Sequence, residues 1–134
     1  MSWPWKLWIA VAGALLVVGG LAWALKLWVI IATDGRVVAT GAAGAFFDLG
    51  FYSLLVGSTG LGVRLTRNQE PALRGVAAVG SPVVFFLALA LFSAVGYAIL
   101  DVGGALAGVS PPGYLLEEAG IFISAVVWLA IGNP

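Results

Sequence analysis

The sequence predicts an all-α integral membrane protein, a single domain over residues 1–134 built as a bundle of four antiparallel transmembrane helices. Three observations lead there. Hydrophobic residues make up 62% of the chain and charged residues 9%, against about 25% charged in an ordinary soluble domain. The mean hydropathy of +1.10 would leave a water-soluble fold with apolar patches larger than soluble monomers carry. The chain also divides into four apolar runs of about the 20 residues that a helix needs to cross hydrocarbon, joined by short links. Helices follow because in hydrocarbon every backbone N–H and C=O must be satisfied within the segment.

The first span is residues 7–31, interrupted only by Lys26. Trp8 and Trp28 stand twenty residues apart, about 30 Å along a helix, which matches the hydrocarbon thickness. Trp3, Trp5 and Trp23 thicken the same two interfacial belts, where indole rings are favoured. Lys26 is then expected to snorkel its ammonium to the nearer headgroup layer. Ala22-Trp23-Ala24 has the small-x-small pattern of a signal-peptide cleavage site, but the apolar run is too long for one and continues past it.

Thr33-Asp34-Gly35-Arg36 supplies turn residues before the second span, residues 37–61. So short a link makes neighbours of the two helices. A polar loop over residues 62–75 follows, with Arg64, Arg67 and Arg74. The stretch from Ala72 to Asp101 is too long for one upright span. Ser81 as N-cap and Pro82 at the first helical position predict a span over 82–101, preceded by a short surface helix over 71–79. A single tilted helix kinked at Pro82 is the alternative. Residues 102–113 read as a Gly- and Pro-rich connection, and 114–131 as the fourth span, with Trp128 near its inner interface.

Charge sets the orientation. Four crossings place Lys6, Arg64, Arg67 and Arg74 on one side and Arg36 with Lys26 on the other, so the positive-inside rule puts both termini in the cytoplasm of a multi-pass cell-membrane protein. The outer face carries Asp34, Asp101, Glu117 and Glu118.

The chain has no cysteine and no histidine, which removes disulfides, thiolate metal sites, thiol nucleophiles, the usual haem ligand and the usual general base. No enzyme, cofactor or metal is expected. The six Lys and Arg residues form no basic stripe, so nucleic acid is not an expected partner either. The expected partners are the lipid bilayer and other membrane subunits or copies of the chain itself.

Asp48 is the most pointed candidate. It falls eleven residues inside the second span, about 16 Å deep and near the midplane, where an aspartate costs roughly 2.5–3.5 kcal/mol. Tyr52 lies one turn further on, and Gly41 and Gly44 share nearly the same face. Two readings follow: Asp48 with Tyr52 as a proton or cation relay, or Asp48 as a polar clasp between helices. Ser93, Tyr97 and Asp101 recur at steps of four on the third span, and Glu117 and Ser124 line the fourth. Facing each other, these lines would form a polar funnel from the outside towards Asp48; as interfacial residues and first-turn carboxylates they would simply sit at helix ends. Lys26 is a possible ion-pair partner for Asp34, Asp101 or a glutamate. Small pairs at spacing four, Gly20 with Ala24, Ser53 with Gly57 and Gly104 with Gly108, suit close helix packing or, for the last, a flexible loop.

The function these features favour is non-catalytic: an accessory, assembly or scaffold subunit of a membrane complex. The alternative is a homo-oligomeric channel or a proton- or cation-coupled small transporter that uses Asp48.

Overall fold

The computed structural model describes residues 2–36 and 41–132. The expected start of the second span at 37–40 and the terminal Asn133 and Pro134 lie outside the described residues. The protein is all-helical: α1 (Trp3–Ala32), α2 (Gly41–Leu65), α3 (Pro71–Ala107) and α4 (Gly113–Gly132). All four are long and apolar enough to cross a membrane.

α1 starts earlier than the apolar run because Pro4 in its first turn, behind an extended Ser2, is preorganised for helix. It ends in a Schellman turn: the Gly35 N–H reaches the Ile30 carbonyl at 2.9 Å and the Asp34 N–H reaches Ile31 at 3.0 Å. Asp34 takes the left-handed conformation at φ 53, which aspartate tolerates better than most residues.

α3 corrects the expected boundaries. One helix of 37 residues, about 55 Å long, replaces the surface turn, the span over 82–101 and half of the connection over 102–113. Pro82 sits inside it without ending it. So apolar a chain has few side chains to replace lost backbone hydrogen bonds, and continuing the helix satisfies nearly all of them. At the far end Gly103 and Gly104 stay helical, and termination waits for Gly108 at φ 72, where the Val109 N–H reaches the Gly104 carbonyl at 2.8 Å. The expected loop over 62–75 shrinks to the residues between Leu65 and Pro71. Arg74 holds that link by donating to the carbonyls of Arg67 and Gln69, while its guanidinium lies 5.6 Å from the Trp5 ring centroid.

α1 and α3 each pack on both α2 and α4, so the helices close into a ring in chain order. Small residues set the closeness of the α1–α2 contact. A Cβ on Gly57 would sit 3.0 Å from the Ala12 carbonyl oxygen, and one on Gly60 would run into Ala12. Further along, Gly19 meets Leu54, and the Trp23 indole lies over Gly50. The α1–α4 contact pairs Gly20 with Ala125 and Leu129, and Leu16 with Gly132.

Leu16, Trp23, Leu54, Phe85, Ala125 and Trp128 form the core, lined by Phe47 and Phe51. Trp23 stacks on Phe47 at 5.8 Å and donates its N–H to the Phe47 carbonyl at 3.1 Å; Phe85 joins Trp23 to Trp128. Trp23 and Trp128 are therefore core residues and not interfacial anchors. Both fall on the inward helical phase, which outweighs the preference of indole for an interface. Trp3 and Trp28 do lie outside, 71% and 67% exposed.

Candidate functional site

Lys26, Asp48 and Glu118 lie at one level of the bundle, a level that the exposed Asp101 and Glu117 share. Lys26 is six residues before the end of α1, Asp48 seven after the start of α2, and Glu118 five after the start of α4, each within about 10 Å of its helix end.

Lys26 does not snorkel. It continues the inward stripe of Ala12, Leu16, Gly19, Trp23 and Ile30, whose steps of four and three hold one face towards the neighbours. Its ammonium donates to both carboxylate oxygens of Glu118, at 3.0 and 2.8 Å, and lies 4.8 Å from the Phe47 ring centroid. Lys26 is 4% exposed and Glu118 6%. A pair so desolvated holds together because the two contacts and the aromatic face replace the lost water. Glu118 shares its phase with Ala125, Trp128 and Gly132 on α4, whereas Glu117, one residue away, is exposed.

Asp48 stands apart from the pair. It is exposed on the outside of the bundle and has no hydrogen-bond or ion-pair partner among the described residues. The centre of α2 falls near Ser53, so Asp48 sits about 7.5 Å from the helix middle, shallower than the spacing from residue 37 implied. Tyr52, one turn on, is 63% exposed, its ring edge-on to Phe51 at 5.5 Å. A cleft of about 270 Å³ is lined by Lys26, Gly44, Phe47 and Asp48. It therefore brings the Asp48 carboxyl to the same space as the buried Lys26 side chain.

The expected polar funnel does not form. Ser93 packs against Gly120 of α4, but Tyr97 and Asp101 are exposed. Steps of four on a helix of 3.6 residues per turn drift by about 40° each, so a line that starts at the α3–α4 contact has turned away by Asp101. The contact follows Phe85 and Gly96 instead. On α4, Ser124 is fully buried and its hydroxyl has no partner among the described residues. Of the partners expected for Lys26, Asp34 accepts a hydrogen bond from the Tyr114 hydroxyl at 3.2 Å, and Asp101 is exposed.

Sequence reasoning named a glutamate as a partner for Lys26 without separating Glu118 from Glu117, and it passed over Phe47. The signal was present: Glu118 lies in phase with Ala125, Trp128 and Gly132, and Phe47 in phase with Gly50, Leu54 and Gly57. It also passed over two end contacts, Trp8 donating to the Thr59 hydroxyl at 3.0 Å and Arg64 donating to the Ile131 carbonyl at 3.0 Å. Among the described residues no three carboxylates gather where a metal ion could be held. Comparison with known protein families, curated proteins and solved structures finds no match to this chain.

Proposed function

We propose that the protein is a non-catalytic, multi-pass membrane module, an accessory, assembly or scaffold subunit whose α2 face docks a further membrane helix. The observation that carries this is Asp48: exposed, without a partner among the described residues, and about 10 Å inside a helix apolar enough to span a bilayer. Left against acyl chains, it carries a cost that reaches roughly 2.5–3.5 kcal/mol at a helix centre and that a covering helix with a hydrogen-bond donor relieves. The pairing of early α1 residues with late α2 residues, and of late with early, supports an antiparallel arrangement, as do the α1–α4 pairs. Arg64, Arg67 and Arg74 near the α2–α3 link support a cytoplasmic location for that link and for both termini.

A photoreactive side chain at Leu49, on the exposed α2 face, tests the docking in native membranes, with Leu87 on the exposed α3 face as control. Position 49 is expected to yield a discrete protein adduct and position 87 only lipid adducts. Lipid adducts alone at both positions would refute the proposal.

The cleft favours a second reading. With Lys26 and Asp48 on its walls and Glu118 bonded to Lys26, it gathers the ionisable side chains that a proton- or cation-coupled channel or transporter needs. Reconstituted protein would then carry an ion flux that Asp48→Asn abolishes while the tryptophan emission of the fold is unchanged. Equal flux in wild type and variant would remove Asp48 from any such mechanism.

A further inference from the structure

We infer that the helix covering the Asp48 face is α2 of a second copy of this chain, an assignment that rests on the docking function proposed above. Along α2, Gly41, Ala45, Asp48, Tyr52, Leu55 and Thr59 recur at alternating steps of four and three. That is the period of a left-handed two-helix seam. Gly41, Ala45, Asp48 and Tyr52 are exposed, and Leu55 and Thr59 are half-buried. The contact with α1 uses a different stripe, including Gly50, Leu54 and Gly57. α2 thus packs on α1 and α3 within the chain, with Thr59 already accepting from Trp8 of α1, and the exposed stretch of this seam from Gly41 to Tyr52 is left over.

The free seam is complementary to itself. Asp48 offers an acceptor and Tyr52 a donor one turn apart, and neither has a hydrogen-bond partner among the described residues. Side chains on a helix lean towards its N-terminus, so the Tyr52 hydroxyl rises to the level of Asp48. Two copies inserted in the same sense are related by a two-fold axis along the membrane normal, which sets equal residues at equal depth. Tyr52 of each copy then donates to Asp48 of the other, and both orphan groups are satisfied twice by one symmetry operation. Close approach at the outer end is open, because Gly41 has none of the described residues within 4 Å of where a Cβ would stand, and Ala45 is small. A different subunit would have to supply a donor at this depth; this chain already carries one. The broad outer face of α3 gives no comparable argument, since Val83, Val84, Leu87 and Leu91 are apolar throughout and lipid satisfies them.

The absence of cysteine makes the test direct. Ala45→Cys and, as control, Leu87→Cys are expressed as the full chain and oxidised in the membrane. Ala45→Cys is expected to give a disulfide-linked species of twice the 13.7 kDa chain, and Leu87→Cys to stay single. Tyr52→Phe, added to Ala45→Cys, removes two interhelical hydrogen bonds per dimer and should weaken association about tenfold. Equal linking at both positions, no linking at Ala45→Cys, or no effect of Tyr52→Phe would each overturn the assignment. A protein adduct of some other mass at Leu49, with Ala45→Cys unlinked, would overturn the second copy and leave the docking function standing. Lipid adducts alone at Leu49 would remove both.

Discussion

Lys26→Met leaves Glu118 at 6% exposure with no opposite charge, and the size of the effect follows from that burial. Breaking a buried ion pair by removing one partner costs about 3–5 kcal/mol, because the remaining charge keeps its desolvation and loses its compensation. Methionine fills much of the lysine stem, so little of the loss comes from packing. The Phe47 ring loses its cation as well, worth up to about 2 kcal/mol when desolvated, which places the single variant towards the upper end of that range. Glu118→Leu should cost a similar amount for the converse reason. The double variant Lys26→Met with Glu118→Leu removes both charges and should lie within about 1 kcal/mol of wild type or be more stable, as apolar replacements of buried pairs often are. Unfolding in mixed micelles by titration with dodecyl sulfate, followed by tryptophan emission, reads this directly, since Trp23 stacks on the Phe47 ring that faces Lys26. A Lys26→Met loss below about 1 kcal/mol would match a solvated, snorkelling lysine and refute the buried pair. A double variant no better than the worse single one would do the same.

Other expectations follow from contacts elsewhere in the bundle. Gly50→Ala drives a methyl into the Trp23 indole and breaks its hydrogen bond to Phe47; a loss of about 1–3 kcal/mol is expected, with a shift in tryptophan emission, and a neutral result would place Trp23 elsewhere. Trp8→Phe keeps the ring but leaves the Thr59 hydroxyl without its donor, costing about 0.5–1.5 kcal/mol in the same unfolding assay. Cysteines introduced singly at Asn68 and Val109 should react with an impermeant maleimide from opposite sides of the membrane, Val109 from outside; labelling of both from one side would refute the alternation of the spans.

The number of helices was legible because apolar run length is a direct reading of the solvent a segment needs. Their ends were less so. Gly80-Ser81-Pro82 and the glycines after Asp101 carry turn signals calibrated on chains that can trade backbone hydrogen bonds for water, and α3 continues through both. The site shows the same division. Asp48 stood out by residue type, and its exposure on the outside, with no partner among the described residues, is a property of packing that composition does not carry. Glu118 was hidden by its neighbour: Glu117 and Glu118 look alike in sequence, and only helical phase separates the exposed one from the buried one. Phase was also the missing ingredient for Trp23 and Trp128. Their residue type suits an interface, whereas their position on the inward stripe puts them in the core.

The Lys26–Glu118 pair also bears on how α1 and α4 find their alignment. Gly13, Leu16, Gly20, Ala125, Leu129 and Gly132 meet along that contact, and small or flexible apolar side chains discriminate poorly between one register and the next. A slip of one turn, about 5.4 Å, would cost such a surface little but would carry the ammonium out of reach of both carboxylate oxygens. The cost of an unpaired buried charge, about 3–5 kcal/mol, then falls on the slipped state and not on the aligned one. The pair acts as a register pin, a role that polar groups in apolar seams are known to take. Uncoupling stability from register tests this: with Val17→Cys on α1, between Leu16, which meets Gly132, and Gly20, which meets Leu129 and Ala125, disulfide formation can be compared with cysteines placed along α4 at positions 129 and 125. Wild-type charges should favour one position strongly, and the double variant Lys26→Met with Glu118→Leu should spread the linkage over both while remaining as stable. Retention of a single linkage in the double variant would show that the glycines and leucines align the helices without the charges.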